Sequence, residues 1–120
     1  MDDLGRSRVI RSAEMPVRTM ANGGESRDVV RGKLATGEVV GLHGSTQPAG
    51  AVPNRPHVIE HTEVLLVQAG TIEIALAGKS QRVTPGDVVL IVKGTLHQVK
   101  NVGDEPARYM IVAIGGDVKA

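Results

Sequence analysis

Residues 62–92, TEVLLVQAGTIEIALAGKSQRVTPGDVVLIV, decide the fold of this chain. They form short apolar runs separated by turns that contain glycine or proline. Within Thr71–Ala77, large aliphatic residues alternate with Thr, Glu and Ala, a period of two that is typical of a strand with one buried face. This stretch predicts three strands, at Val64–Ala69, Thr71–Ala77 and Val88–Val92.

The same pattern continues outward in both directions. Asp28–Leu34 and Glu38–His43 flank a turn that contains Gly and predict a hairpin. Gly44–Pro56 holds three Pro and two Gly, which predicts a loop. Further strands are predicted at Thr95–Val99 and Arg108–Ile114.

In the last predicted strand, Met110, Val112 and Ile114 share one face, and we expect them to lie in the core. No window of helical length carries an apolar stripe with a period of 3.6. About nine short strands with regular turns indicate an all-β sandwich or barrel without substantial helix.

The size and composition agree with this fold class. A chain of 120 residues is too short to bury two separate cores, so we expect one domain over residues 15–120. Residues 1–14 are predicted to form a tail, or a strand exchanged with a partner. Val outnumbers Leu more than twofold and Tyr109 is the only aromatic residue, a bias that favours sheet over helix.

Charge and composition exclude several classes of function. The net charge of +1 is scattered, and aromatic residues are too rare to stack bases, so we expect no nucleic acid partner. The absence of Cys excludes disulfides and thiolate chemistry. No apolar run has the length of a membrane span, and the first residues lack the apolar centre of a signal peptide. We therefore expect a soluble, cytoplasmic protein with no membrane partner.

Three of the four histidines, with one glutamate, are candidate metal ligands. Divalent ions take imidazoles and carboxylates that converge at about 2.0–2.2 Å. His61 and Glu63 are two residues apart and can leave the same face of a strand. His57 would lie roughly 20 Å from Glu63 in a straight strand, so the chain has to bend between them. His97 has to arrive from a neighbouring strand.

The spacing of these residues resembles the two motifs of the cupin superfamily. Glu63, six residues and Gly70 resemble the end of the first motif, and His57 has the spacing of its first His. The second motif is matched, with Val in place of the usual Pro, by Gly86, Val92, Gly94, His97 and Asn101.

The resemblance implies a double-stranded β-helix, or jelly-roll barrel, that holds a divalent transition metal (Fe, Mn, Ni, Cu or Zn). Carried over, it makes His57, Glu63 and His97 ligands. The chain departs from the motif at Ile59, where the family has its second His. His61 is then either a fourth ligand or a solvent-facing residue. The site has three protein ligands and water, four rearranged ligands, or no metal.

The resemblance leaves the function open between three classes. The first is a metal-dependent enzyme for a small organic molecule, of dioxygenase, isomerase, decarboxylase or lyase type; no catalytic residue is assigned. The second is a non-enzymatic protein that binds or senses a small ligand, and the third a structural dimerisation module. We expect a homodimer, paired through sheet edges or exchanged N-terminal strands.

Four residue types outside the ligand set carry weaker expectations. A lone His at position 43 is expected to be structural and outside the site. Asn101 is expected to brace its turn through hydrogen bonds to the backbone. Tyr109 can face the cavity or the outside. The glycines of the motifs, Gly70, Gly86 and Gly94, are expected to occupy turns that need positive φ.

Overall fold

The computed structural model describes residues 4–119, which form ten strands, one short 3-10 turn (Ser12–Glu14) and no α-helix. This confirms the all-β prediction. The strands are β1 (Arg18–Thr19), β2 (Glu25–Lys33), β3 (Val39–Gln47), β4 (His57–Val58), β5 (Thr62–Ala69), β6 (Ile72–Leu76), β7 (Lys79–Val83), β8 (Val88–Ile91), β9 (Leu96–Asn101) and β10 (Ala107–Ile114).

The strands form two antiparallel sheets that face each other. The larger sheet has the order β1-β2-β3-β10-β5-β8, and the smaller has the order β4-β9-β6-β7. From β4 onward the chain crosses repeatedly from one sheet to the other, as a double-stranded β-helix requires. The last strand, β10, lies between β3 and β5 and therefore closes the larger sheet at its centre.

The core lies between the sheets and consists of aliphatic side chains. In β6 the predicted alternation is confirmed, since Ile72 and Ile74 are fully buried. They pack with Leu65 and Val67 of β5 and with the inward residues of β8. Burial of a Leu or Ile side chain contributes about 1.5–3 kcal/mol, so this cluster is the main source of stability.

The predicted core face of β10 was wrong. Its buried side chains are Ala107, Tyr109, Ile111 and Ala113, whereas Met110, Val112 and Ile114 face outward. Both faces of this strand are apolar, so alternation alone allows two registers. The pairing of β10 with β3 and β5 selects one register, and a shift by one residue would exchange the faces.

Two further elements differ from the prediction. The loop predicted from Gly44 begins only after Gln47, because β3 is paired on both sides, with β2 and β10, up to its last residues. Lys79–Val83 forms a strand that the sequence did not indicate. It lies at the edge of the smaller sheet with four of its five side chains exposed, and an exposed edge strand carries no apolar pattern.

Two predictions about the N-terminal end of the chain stay open. Met1, Asp2, Asp3 and Ala120 lie outside the described residues. Arg18–Thr19 pairs with β2 of the same chain, and the proposed boundary at residue 14 and the exchange of an N-terminal strand stay predictions. Among residues 4–119, no helix is long and apolar enough to cross a membrane.

Candidate metal ligands and small-molecule cavity

A cavity of about 240 Å³ lies between the two sheets, lined by the second half of β3 and the first half of β9. Its wall brings together side chains from both sheets and from the loop before β4. The polar residues of this wall include Gln47, Arg55, His57, Glu63, His97 and Tyr109. A second cavity of about 300 Å³ lies beside the first, and Glu63 lines both.

His57 and His97 face each other across β4 and β9. They are directly paired in the register of the two strands, and their ring centroids are 4.3 Å apart. The Nδ1 atom of each ring lies 3.2 Å from a backbone carbonyl oxygen, that of Arg55 and that of Thr95 respectively. Because a carbonyl can only accept, Nδ1 donates in both rings. A neutral ring then keeps its lone pair on Nε2, the atom that a metal or a ligand proton can use.

The bend expected between His57 and Glu63 is a change of sheet. His57 belongs to the smaller sheet and Glu63 to the larger one. Ile59 lies between them, 7% exposed, and packs in the aliphatic core. Its carbonyl accepts a hydrogen bond from the backbone N–H of Gly94. The position that the family gives to a second His is therefore part of the core here.

His61 lies between two carboxylates. Its Nε2 is 2.9 Å from Oε2 of Glu63, and its Nδ1 is 2.6 Å from Oδ1 of Asp117. Burial lowers the pKa of His61, but the hydrogen bonds and charges of the two carboxylates outweigh it and raise the pKa above its ordinary value. Both nitrogens face carboxylate oxygens, and this arrangement favours the protonated ring over the neutral one.

Asp117 was not predicted as a residue of this site. It follows β10 in a segment that returns to the start of β5, where the Asp117 N–H donates to the carbonyl of Glu60. Gly116 makes this approach possible, because a Cβ at that position would collide with the same carbonyl. A signal for such a long-range contact is absent from the local pattern around residue 117.

The donor chemistry of the site fits a transition metal, and the arrangement fits it only in part. Two imidazoles with available Nε2 atoms and a carboxylate line one cavity. However, Glu63 is hydrogen-bonded to His61, and in residues 4–119 no group of three His, Asp or Glu side chains has an arrangement that could hold an ion. The two imidazoles and Glu63 line one cavity, and one oxygen of Glu63, Oε2, is hydrogen-bonded to His61.

Gln47 and Tyr109 form a buried polar pair in the cavity wall. The amide Nε2 of Gln47 donates to the hydroxyl of Tyr109 over 3.0 Å, and Tyr109 also bonds with Ser45. Burial raises the pKa of Tyr109, against the effect of these two hydrogen bonds. Tyr109 thus faces the cavity and remains a hydroxyl. The sequence prediction missed Gln47 and Ser45, although they continue the alternation of His43 along β3.

The remaining expectations concern His43, Asn101 and the motif glycines. His43 was expected outside the site, but it lies in the wall of both cavities, where burial lowers its pKa. Asn101 braces its turn as predicted: its Nδ2 donates to the carbonyl of Glu105, and its Oδ1 accepts from Gly103. The same Nδ2 donates to the carbonyl of Gln47 and so fixes the end of β3. The motif glycines, Gly70, Gly86 and Gly94, have positive φ as expected.

Comparisons with known proteins agree with this architecture. Residues 43–113, more than half of the chain, match the family model described as a cupin domain. A search of curated proteins found no match.

Solved structures with the same fold cover nearly the whole chain. KdgF from Halomonas sp. is 18% identical, with a TM-score of 0.77 over 93% of this chain and 97% of that protein. An RmlC-like cupin from Shewanella frigidimarina is 14% identical, with a TM-score of 0.75 over 96% of each chain. A predicted oxalate decarboxylase from Thermotoga maritima is 20% identical, with a TM-score of 0.74 over 89% of this chain and 98% of that protein. At these identities the likeness shows the fold.

Proposed function

Because this chain belongs to the cupin family, we propose that it binds a small organic molecule in the cavity between its sheets, beside a divalent transition metal. His57, Glu63 and His97 would hold the ion. The observation that carries this proposal is the pair of imidazoles in direct register, each with Nδ1 committed to a carbonyl and Nε2 available. A hydrogen bond that fixes Nδ1 in this way is the usual second contact of a metal-bound His.

Around such an ion, Tyr109 and His61 would have different roles. When bound, the ion would polarise an oxygen of the ligand or activate dioxygen. Tyr109 keeps its proton and presents a hydroxyl to the cavity. His61 holds the Glu63 carboxylate in place, and with both nitrogens engaged it serves as a positioning residue rather than a fourth ligand. Dioxygenase, isomerase, decarboxylase and lyase reactions all stay open.

Elemental analysis of protein purified without added metal tests the metal site. We expect one transition metal, Fe, Mn, Ni, Cu or Zn, near one equivalent in the wild type. The variants His57→Ala and His97→Ala should lose it, whereas the control His43→Ala should retain it. A wild type that is metal-free and fully stable would reject the metal site and leave the cavity alone as the functional element.

A second candidate function is metal-independent binding or sensing of a small ligand. It is supported by Ile59 in the core and by the bond between Glu63 and His61, which together leave two donors at the imidazole pair. A thermal-shift screen in the presence of a chelator separates the two candidates. Ligands that stabilise the chelated protein as much as the untreated protein favour the second candidate.

We also propose a homodimer, paired through the outer face of the larger sheet. Leu66, Val88, Leu90 and Val92 are exposed there on β5, on the edge strand β8 and just after it. These side chains are aliphatic and uncharged, so charge selects no partner, whereas a second copy offers an identical apolar surface and covers the free edge. A monomer in light scattering at micromolar concentration would reject this proposal.

The cellular location and the excluded partners rest on composition. The scattered charges and the net charge of +1 support the absence of nucleic acid and membrane partners, and we propose a cytoplasmic location. Subcellular fractionation of the native host would test the location.

A further inference from the structure

We infer that Gln47 recognises the ligand, and that the ligand is a small organic acid carrying a hydroxyl or amino group. This inference rests on the proposed function, since it places that ligand in the same cavity. It assigns the hydroxyl or amino group to Gln47 and the acid group to Arg55.

Gln47 carries an unused acceptor in the cavity wall. The residue is 7% exposed, and within residues 4–119 its Oε1 is the one buried side-chain nitrogen or oxygen without a hydrogen-bond partner. A buried acceptor left in this state is costly, and native proteins rarely retain one. The other end of the amide is committed to Tyr109. Oε1 is therefore held in a fixed direction, ready to accept from an O–H or N–H group.

The backbone around Gln47 keeps this acceptor in place. Its carbonyl accepts from Asn101, which also ties together its own turn. Reversal of the amide would only exchange an unpartnered acceptor for an unpartnered donor. The position therefore needs a polar partner, and because Gln47 lines the cavity, we assign that partner to a ligand bound there.

Arg55 brings a positive charge to the same cavity. Its side chain is exposed and lines the cavity, and the ion pairs of residues 4–119 do not include it. Two hydrogen bonds fix its backbone: Gln98 Nε2 donates to the carbonyl of Asn54, and His57 Nδ1 donates to that of Arg55. The acidic residue of the cavity, Glu63, is already paired with His61. Arg55 is therefore a cation of the cavity wall outside those ion pairs, and a carboxylate on the ligand could pair with it.

The volume sets the size of the ligand. At about 240 Å³ the cavity lies just below the range of ordinary ligand pockets, roughly 300–1,000 Å³. Aliphatic Leu65, Ile91 and Val99 line the rest of it, so the carbon skeleton should be short and aliphatic. Lactate combines these properties and is a suitable probe.

Calorimetric titration of the protein as purified with lactate, propionate and lactamide tests the inference. Propionate lacks the hydroxyl group, and lactamide lacks the charge. We expect lactate to bind at least about tenfold more tightly than either. Propionate leaves Gln47 without a hydrogen-bond donor, and lactamide leaves Arg55 without a carboxylate. Equal affinities for lactate and propionate would overturn the assignment to Gln47. Binding of none of the three, with only water at Gln47 in a crystal structure, would overturn the whole inference.

Two variants and one control locate the contacts. Gln47→Met should raise the Kd of lactate to that of propionate, and Arg55→Met should raise it to that of lactamide. Gln81→Met, on the exposed edge strand β7, should change neither. Melting temperatures show whether each variant folds. The comparison of probes on the wild type decides the inference even if Gln47→Met does not fold. The metal content of the wild type tests the proposed function in a separate measurement. This inference can therefore fail while the proposed function stands.

Discussion

The interior of the barrel has an aliphatic half and a polar half. Between β5, β6 and β8, the fully buried side chains are Leu65, Ile72, Ile74 and Ile91. Toward β3, β4 and β9 the inward side chains are His43, Gln47, His57 and His97. Neighbouring inward positions of one strand can belong to different halves, as Glu63 and Leu65 do. The aliphatic half anchors the strands on which the polar groups are presented, so the site is as rigid as the sheets.

The largest expected effect comes from the aliphatic half. Leu65 is 0% exposed and its neighbour Leu66 is 37% exposed, on opposite faces of β5. We expect Leu65→Ala to reduce the free energy of unfolding by about 2–5 kcal/mol, since it removes buried methyl groups and leaves a cavity. The matched control Leu66→Ala should cost less than half as much. Urea denaturation at low protein concentration measures both, and equal losses would mean that the register of β5 is wrong.

The segment that delivers Asp117 to the polar half gives the next largest effect. We expect Gly116→Ala to cost about 3 kcal/mol, because its Cβ would collide with the carbonyl of Glu60 at a positive φ. Gly50→Ala is the control: its φ of +73° is also close to the left-handed α region, but nothing lies within 4 Å of the added Cβ, so about 1 kcal/mol of backbone strain remains. Thermal unfolding compares the two. A Gly116→Ala variant as stable as the control would show that this segment does not close on β5.

The two halves also differ in how far the sequence predicts them. Alternation in Thr71–Ala77 predicts the buried residues of β6, because one face is apolar and the other is not. In β10 both faces are apolar, and the choice between them depends on pairing with two distant strands. Local pattern carries no information about that pairing, which is why Tyr109 could not be assigned to either side.

In the polar half, motif spacing predicted that His57 and His97 lie together, although a change of sheet separates them from Glu63. The prediction could not include Asp117, since its contact with His61 spans 56 residues and depends on the path of a terminal segment. Gln47 was not predicted as a site residue, because the proline-rich stretch after it made the end of β3 resemble a loop. The metal itself and the four-ligand set with His61 stay predictions.

Tyr109 tests whether the polar half behaves as a network. Tyr109→Phe removes the acceptor of Gln47 Nε2 and leaves a second buried amide atom without a partner, so we expect a cost of about 1–2 kcal/mol in the free energy of unfolding. The double variant Tyr109→Phe with Gln47→Met removes both partners and should be more stable than Tyr109→Phe alone. A double variant whose loss is the sum of two single losses would indicate independent residues.

The smallest expected effects are the pH dependences of two histidines, which should have opposite signs. The pKa of His61 is raised in the folded chain by Glu63 and Asp117 despite burial. The folded state then binds more protons than the unfolded state, so the stability from His61 is fully present below the unfolded pKa of about 6.5 and is lost as the pH rises through the folded value.

For His43, burial lowers the pKa, and the signs reverse. The unfolded state binds more protons, so the stability is present above about pH 6.5 and is lost as the pH falls toward the folded pKa. The advantage of the wild type over His61→Gln should therefore shrink as the pH rises above about 6.5, whereas its advantage over His43→Gln should shrink as the pH falls below it. Denaturation curves between about pH 5 and pH 8.5 measure both slopes. A His61 slope with the sign expected for His43 would mean that His61 does not lie between Glu63 and Asp117, and the polar half would lose the contact that now holds Glu63.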